Sequence, residues 1–71
     1  MVERAERFIG THGYNRQMNK IVDKILKAYN KFGLISNLKK ANGGYRFICS
    51  EELLYLLNKE IKNSFIEAGL I

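Results

Sequence analysis

The sequence predicts a small α+β domain, mainly helical, built as a short helix, a turn, a longer helix, a β-hairpin and a long C-terminal helix. Three observations predict this fold class. Apolar residues recur at helical spacing in two long segments, that period is lost between the two segments, and glycines mark the segment ends. With 46% hydrophobic and 27% charged residues, the 71-residue chain has the composition of one compact domain, residues 1–71.

Two helices are predicted before the hairpin. The first spans residues 2–9, because its apolar residues have near-helical spacing and an acidic residue precedes a basic one by four positions. The second spans residues 16–32, where apolar residues recur every three or four positions after Asn15, a residue type that caps helix N-termini. Gly33 fits the left-handed position that ends many helices.

The second half of the chain predicts a hairpin followed by a helix. β-favouring residues flank a tight turn at residues 41–44, which predicts a β-hairpin over residues 34–49. Ser50 and the two glutamates after it are typical of a helix start, because a hydroxyl cap and negative charges suit the positive end of the helix dipole. The last helix is therefore predicted over residues 51–68.

This last helix carries apolar residues around much of its circumference, more than one small core is expected to cover. In a chain of this size, a second copy is the simplest further cover. We therefore expect a homodimer formed through residues 51–68. The predicted interface residues are Leu53, Leu54, Leu57, Ile61 and Phe65.

The chain is basic, with 12 Lys and Arg against 7 Asp and Glu and a formal net charge of +5. Basic residues follow one face of the second predicted helix, opposite its apolar face, and others lie at the predicted hairpin tip. Such a surface is typical of nucleic-acid binding. A solvated lysine-rich face explains the helix equally well, but the hairpin tip shifts the balance toward a nucleic-acid ligand.

The run IVDKILKAYNKFGLISNLKKANGGYRFICSEE, residues 21–52, resembles the winged helix-turn-helix family. The resemblance is carried by the G-L-I step after the helix, the G-G-Y-R turn and the helix start at Ser50. It covers about half the chain. Family members usually have a further helix before the two-helix motif, so the resemblance implies a trimmed unit, similar to bacterial repressors or small phage excisionases.

The resemblance also implies a way of binding double-stranded DNA. The second helix would enter the major groove, with base contacts by Arg16 and by Gln17 or Asn19, and the hairpin would form a wing along the backbone. The implied DNA-binding residues are Asn15, Arg16, Gln17, Asn19, Lys20, Lys24, Lys27, Lys39, Lys40, Asn42 and Arg46. The implied function is that of a small transcriptional regulator or a phage or plasmid accessory factor.

The residue inventory argues against an enzyme. Cys49 and His12 are the only Cys and His in the chain, whereas a structural zinc site needs about four such ligands. No catalytic constellation is found in the sequence, so we expect no catalytic or metal site, no cofactor and no small-molecule substrate. The longest apolar run, residues 53–57, is far below the about 20 residues of a membrane span, and no secretory leader is evident. We expect a cytoplasmic protein without membrane contact.

Two other functions stay open at this point. The chain can be a small adaptor or inhibitor that captures a protein partner on its C-terminal helix, with a basic face that is merely solvated. It can also bind structured RNA, because the same charges suit any polyanion.

Overall fold

The computed structural model describes residues 3–71, which form two helices and a three-stranded antiparallel sheet. The elements are β1 (Arg4–Gly10), α1 (Arg16–Lys31), β2 (Ser36–Ala41), β3 (Gly44–Ser50) and α2 (Glu51–Glu67). Strand β3 lies between β1 and β2. Buried and exposed residues alternate along β1 and β3, because both helices cover one face of the sheet and leave the other face open.

The predicted helix-turn-helix arrangement is wrong, because the order of elements is β-α-β-β-α. Residues 4–9 of the helix predicted over residues 2–9 belong to β1, and Val2 lies outside the described residues. Strand β1 pairs antiparallel with β3, from Arg4 opposite Ser50 to Gly10 opposite Gly44. The hairpin is therefore no projecting wing, since its second strand is the centre of the sheet.

Strand pairing explains why β1 is not a helix. Glu, Arg and Ala favour helix locally, but a short segment fits both the helical and the strand period. As a strand, this segment places Ile9 in the core and Phe8 on the open face. Pairing with β3 also provides hydrogen-bond partners for the backbone N–H and C=O groups on one edge of β1. An isolated helix of seven residues is too short to be stable in water.

The core lies between the sheet and the two helices. Its buried residues are Ile9, Val22, Leu26, Ile35, Tyr45, Phe47, Cys49, Leu57, Ile61 and Phe65. Removing one large aliphatic or aromatic side chain of this kind from water contributes about 1.5–3 kcal/mol. Helix α2 packs against α1, β3 and β1, so the strand that was predicted to be a helix supplies part of its cover.

Three of the predicted dimer residues therefore lie inside a single chain. Leu57, Ile61 and Phe65 are buried in the core, and a dimer contact through them would require the core to open. Leu53 and Leu54 are half-buried and pack against the same core. The assignment of the interface is corrected accordingly. The homodimer stays a prediction, in which Leu57, Ile61 and Phe65 take no part while the core stays closed.

Both helices begin at the predicted caps. The Asn15 side-chain oxygen accepts a hydrogen bond from the Met18 amide at 2.8 Å, and Asn15 has the extended backbone expected before a helix. The Ser50 hydroxyl accepts from the Leu53 amide at 3.1 Å. Each cap satisfies one of the amide groups that a helix start leaves without an internal partner.

Both helices also end in the same motif. Gly33 has φ of 76°, and the Leu34 amide donates back to the Tyr29 carbonyl at 2.9 Å. Gly69 has φ of 74° and ends α2 with the corresponding bonds. Glycine adopts this left-handed conformation without a Cβ penalty, so each helix ends sharply.

A side-chain hydrogen bond joins the two helices. The Tyr29 hydroxyl donates to the Glu60 carboxylate at 2.6 Å. Partial burial, and next the bond to Glu60, raise the pKa of Tyr29 from 10.0 to about 12. The phenol is therefore neutral in the folded protein over a range of pH in which an unfolded chain has lost its proton.

Tyr29 is expected to make the stability fall at alkaline pH. Between its unfolded pKa of 10.0 and its folded pKa of about 12, the folded state binds one more proton, so the free energy of unfolding decreases as pH rises. Tyr29→Phe should make this decrease less steep. At neutral pH it should lower the free energy of unfolding by about 1 kcal/mol, because the hydrogen bond to Glu60 is lost. Urea unfolding at neutral pH and at about pH 11 measures both effects. An equally steep decrease in the variant would contradict the assignment.

Gly44 is expected to tolerate no side chain. A Cβ atom on Gly44 would overlap the Ile9 carbonyl oxygen and would lie 2.8 Å from Phe8 Cζ, because β1 and β3 approach closely there. Gly44→Ala should lower the free energy of unfolding by about 3 kcal/mol. Gly10→Ala is the matched control, since a Cβ there meets the Phe8 ring at 3.4 Å, an ordinary contact. Equal stability of the two variants in urea unfolding would contradict the close approach.

Candidate nucleic-acid interface

The basic residues of α1 lie on the side of the helix that faces away from the core. Val22 and Leu26 are buried against the sheet, whereas Arg16, Lys20 and Lys27 are exposed on the opposite side. This follows from the helical period, because positions three or four residues apart share a face. These basic residues form a stripe along α1 that the sheet does not cover. The stripe consists of Arg16, Lys20, Lys24, Lys27 and Lys31.

A shallow groove of about 550 Å³ lies between α1 and the β2–β3 hairpin. The residues that line it are Arg16, Asn19, Lys20, Asp23, Lys27, Lys40 and Tyr45. Four of these side chains are cationic and one is a carboxylate. Lys40 comes from β2 and the other three cations come from α1, so two elements separated in sequence bring positive charge to one place.

The carboxylate in the groove is held by two partners. Asp23 pairs with Lys27 at 3.0 Å, one helical turn further along, and accepts a hydrogen bond from the Tyr45 hydroxyl at 3.1 Å. The bond to Lys27 holds the pKa of Asp23 below its usual 3.8, although partial burial acts in the opposite direction and Tyr45 lowers it further. Burial, and next the bond to Asp23, raise the pKa of Tyr45. Asp23 therefore stays ionised at neutral pH and forms an ion pair with the exposed Lys27.

Strand register divides the predicted hairpin residues between two surfaces. Lys40 is opposite Tyr45, on the side of the sheet that carries the helices. Lys39 is opposite Arg46, on the open face. Neighbouring residues of a strand point to opposite faces, so these basic residues cannot contact the same stretch of DNA backbone as a single wing would. Asn42 is exposed in the turn between the strands.

The remaining predicted residues lie on α1. Asn15 uses its side-chain oxygen to cap the helix, so that atom has a structural role. Gln17 lines a smaller depression of about 360 Å³ together with Asn15, Arg16 and Lys20. Lys24 is exposed and belongs to the stripe, but it does not line the groove.

Asp23 and Tyr45 line the groove but are not among the DNA-binding residues predicted from the sequence. The spacing of Asp23 and Lys27 by four residues was a signal for an ion pair on one helix face. Tyr45, Phe47 and Cys49 are every second residue of β3 and share its buried side. The hydrogen bond from Tyr45 to Asp23 of α1, however, depends on tertiary packing. No local sequence pattern predicts such a hydrogen bond.

Three further observations concern metal ligands, membrane spans and the cysteine. Across residues 3–71, no three His, Cys, Asp or Glu side chains come together as a metal site would need. Neither helix of this part of the chain has the length and apolar character required to cross a membrane. Cys49 is buried and burial raises the pKa of its thiol, so the reactive thiolate is disfavoured.

The architecture defines a two-layer α+β domain in which two helices cover one face of a three-stranded antiparallel sheet. Comparisons with models of protein families, with curated proteins and with solved structures found no match to this chain. The geometry and charge of the surfaces described above are therefore the basis for a proposed function.

The two partners of Asp23 are expected to differ in their effect on it. Lys27→Met removes both a hydrogen bond and a positive charge, so it should raise the pKa of Asp23 more than Tyr45→Phe does. Carboxyl-carbon NMR titration of the three proteins measures the order. Lys24→Met is the control, because adjacent helix residues do not face each other and this change should leave the pKa of Asp23 nearly in place. A larger shift with Tyr45→Phe would contradict the ion pair.

Proposed function

We propose that this protein binds double-stranded DNA through the exposed stripe of α1 and the adjoining groove. The observation that carries the proposal is the convergence of cations from α1 and β2 in that groove. Like charges repel one another, and bringing them together has an electrostatic cost that a bound polyanion removes. Asp23 compensates for one of the four positive charges, and the groove keeps an excess of three.

The dimensions of the stripe suit a DNA backbone. From Arg16 to Lys27 the helix rises by about 16 Å, and duplex DNA carries one negative charge per about 1.7 Å of its axis. Several phosphates can therefore approach the stripe at once. Lys27 is paired with Asp23, which leaves Arg16, Lys20 and Lys40 as the other cations of the groove. If each of these three neutralises one phosphate, the logarithm of the binding constant should fall with the logarithm of salt concentration with a slope of about −2.7.

The proposed contacts are mainly to phosphates. The base-reading roles of Arg16, Gln17 and Asn19 were implied by the winged-helix resemblance, and the different fold removes that support. Helix α2 packs beside α1, where Tyr29 bonds Glu60, which limits how far α1 can enter a groove of the duplex. Phosphate contacts position a protein on DNA without reading its sequence. Transcriptional or accessory roles and a cytoplasmic location stay predictions that are compatible with this ligand.

Reversal of charge on the stripe should remove most of the binding. In Arg16→Glu with Lys20→Glu, two phosphate contacts become repulsive, so the salt slope should shrink by about 2 in magnitude and affinity at low salt should drop sharply. Fluorescence anisotropy with a labelled random-sequence duplex at several salt concentrations measures both. Lys59→Glu with Lys62→Glu, exposed on α2, makes the same change in net charge on another surface and should bind nearly as the parent protein does.

Three results would contradict this proposal. The first is an absence of duplex binding at low salt, which would favour the adaptor function. The second is equal loss in the two double variants, which would show an effect of net charge rather than a site. The third is preferential binding of duplex RNA in a competition experiment, because the ligand would then be a different duplex.

A further inference from the structure

The open face of the sheet carries a second surface of different chemistry. The register places Phe8, Arg46 and Lys39 in one row across the three strands. The next row begins with Glu6 and Ile48. All of these except the half-buried Ile48 are exposed. The open face of an antiparallel sheet usually carries polar residues, so an exposed aromatic ring among cations needs an explanation.

The ring of Phe8 is exposed and held in place. Its exposed fraction is 51%. The ring packs against Gly44 of β3, because a Cβ atom added to this glycine would lie 2.8 Å from Phe8 Cζ. The absence of a side chain at Gly44 therefore makes room for the ring. Packing on Gly44 explains the buried part of the Phe8 ring. About half of the side chain stays exposed to water. A ring already fixed by the sheet loses little conformational freedom when a planar group stacks on it.

One cation lies beside the ring, and two others lie on the same face of the sheet. The Arg46 guanidinium carbon lies 5.9 Å from the ring centroid, and Lys39 follows on the next strand. Arg46 also approaches Glu6 at 3.7 Å, a loose pair between exposed side chains. Arg4 adds a third cation on this face, so positive groups exceed the single carboxylate. An aromatic ring that stacks a base, flanked by groups that bind its phosphates, is how proteins hold unpaired strands.

The groups proposed to bind the unpaired strand do not need a ribose 2′-hydroxyl. Phe8 offers a ring face for stacking, and Arg46 and Lys39 offer positive charge. The Ser36 hydroxyl accepts a hydrogen bond from Arg4 at 2.9 Å, and the Glu6 carboxylate lies 3.7 Å from Arg46. What the surface offers a ligand is stacking and positive charge, and single-stranded DNA supplies both complements.

We infer that the open face of the sheet binds single-stranded DNA, with one base stacked on Phe8 and phosphates held by Arg46 and Lys39. This surface is separate from the groove proposed for duplex DNA, because Lys39 and Lys40 point to opposite sides of β2. A duplex cannot use it in the same way, since its bases are already stacked on one another.

The ring is tested by replacing Phe8. The sequence contains no Trp, so Phe8→Trp introduces a sole tryptophan at the site, whose emission can be excited selectively over that of the four Tyr residues. Its emission should be quenched by a short oligothymidylate and not by an abasic strand of equal length. Phe8→Leu, followed by anisotropy of labelled oligothymidylate, should weaken binding roughly tenfold, and Phe8→Tyr should bind as the parent does. Circular dichroism checks that each variant is folded.

The cations are tested by a pair of adjacent variants. Lys39→Glu should weaken oligothymidylate binding and spare duplex binding, whereas Lys40→Glu should do the reverse, although the change in charge is the same. The inference is overturned if oligothymidylate binds equally well after Phe8→Leu and Lys39→Glu, if Lys40→Glu weakens it as much as Lys39→Glu, or if oligouridylate binds more tightly than oligothymidylate. Because the duplex and the single strand are measured separately, failure at one surface is distinguishable from failure at the other.

Discussion

The close antiparallel pairing of β3 with β1 is the contact on which the rest of the structure depends. At Gly44 the two backbones approach so closely that a Cβ atom has no room. The pairing puts β3 at the centre of the sheet, with Phe47 and Cys49 beneath the helices and Arg46 on the open face. Without β1, α2 would lack part of the sheet on which Leu57 and its neighbours are buried.

The same pairing explains which parts of the fold sequence reasoning could predict. Helix α1, the hairpin and α2 carry long periodic segments or local signals at their ends, and Asn15 and Ser50 cap the helices as predicted. Strand β1 has seven residues that fit a helical period locally, and its state is decided by a partner about forty residues away in the chain. The error at β1 then propagated, because the cover that β1 gives to α2 was assigned to a second copy of the chain.

The candidate site was predictable to a similar degree. The α1 stripe follows from helical geometry, so its position on the surface follows from the sequence once the helix is recognised. The contribution of the hairpin to the site does not follow from the sequence in this way. Which of Lys39 and Lys40 faces α1 depends on the register of β2 against β3, and that register includes an irregularity between Ser36 and Lys39. The row that contains Phe8 could not be found at all while β1 was taken for a helix.

Two features hold that register, and with it the separation of the two surfaces. Asn37, within the irregular part of β2, has φ of 55°, a left-handed conformation that Asn tolerates better than most residues. Gly44 fixes β3 against β1 at the other end of the hairpin. A slip of one residue would exchange the faces of Lys39 and Lys40. A slip in one direction would place Ala41 opposite Tyr45 and remove the hairpin cation from the groove. A slip in the other direction would place Leu38 opposite Arg46 and remove the lysine from the row that contains Phe8. The charge of both surfaces therefore requires one register of the three strands.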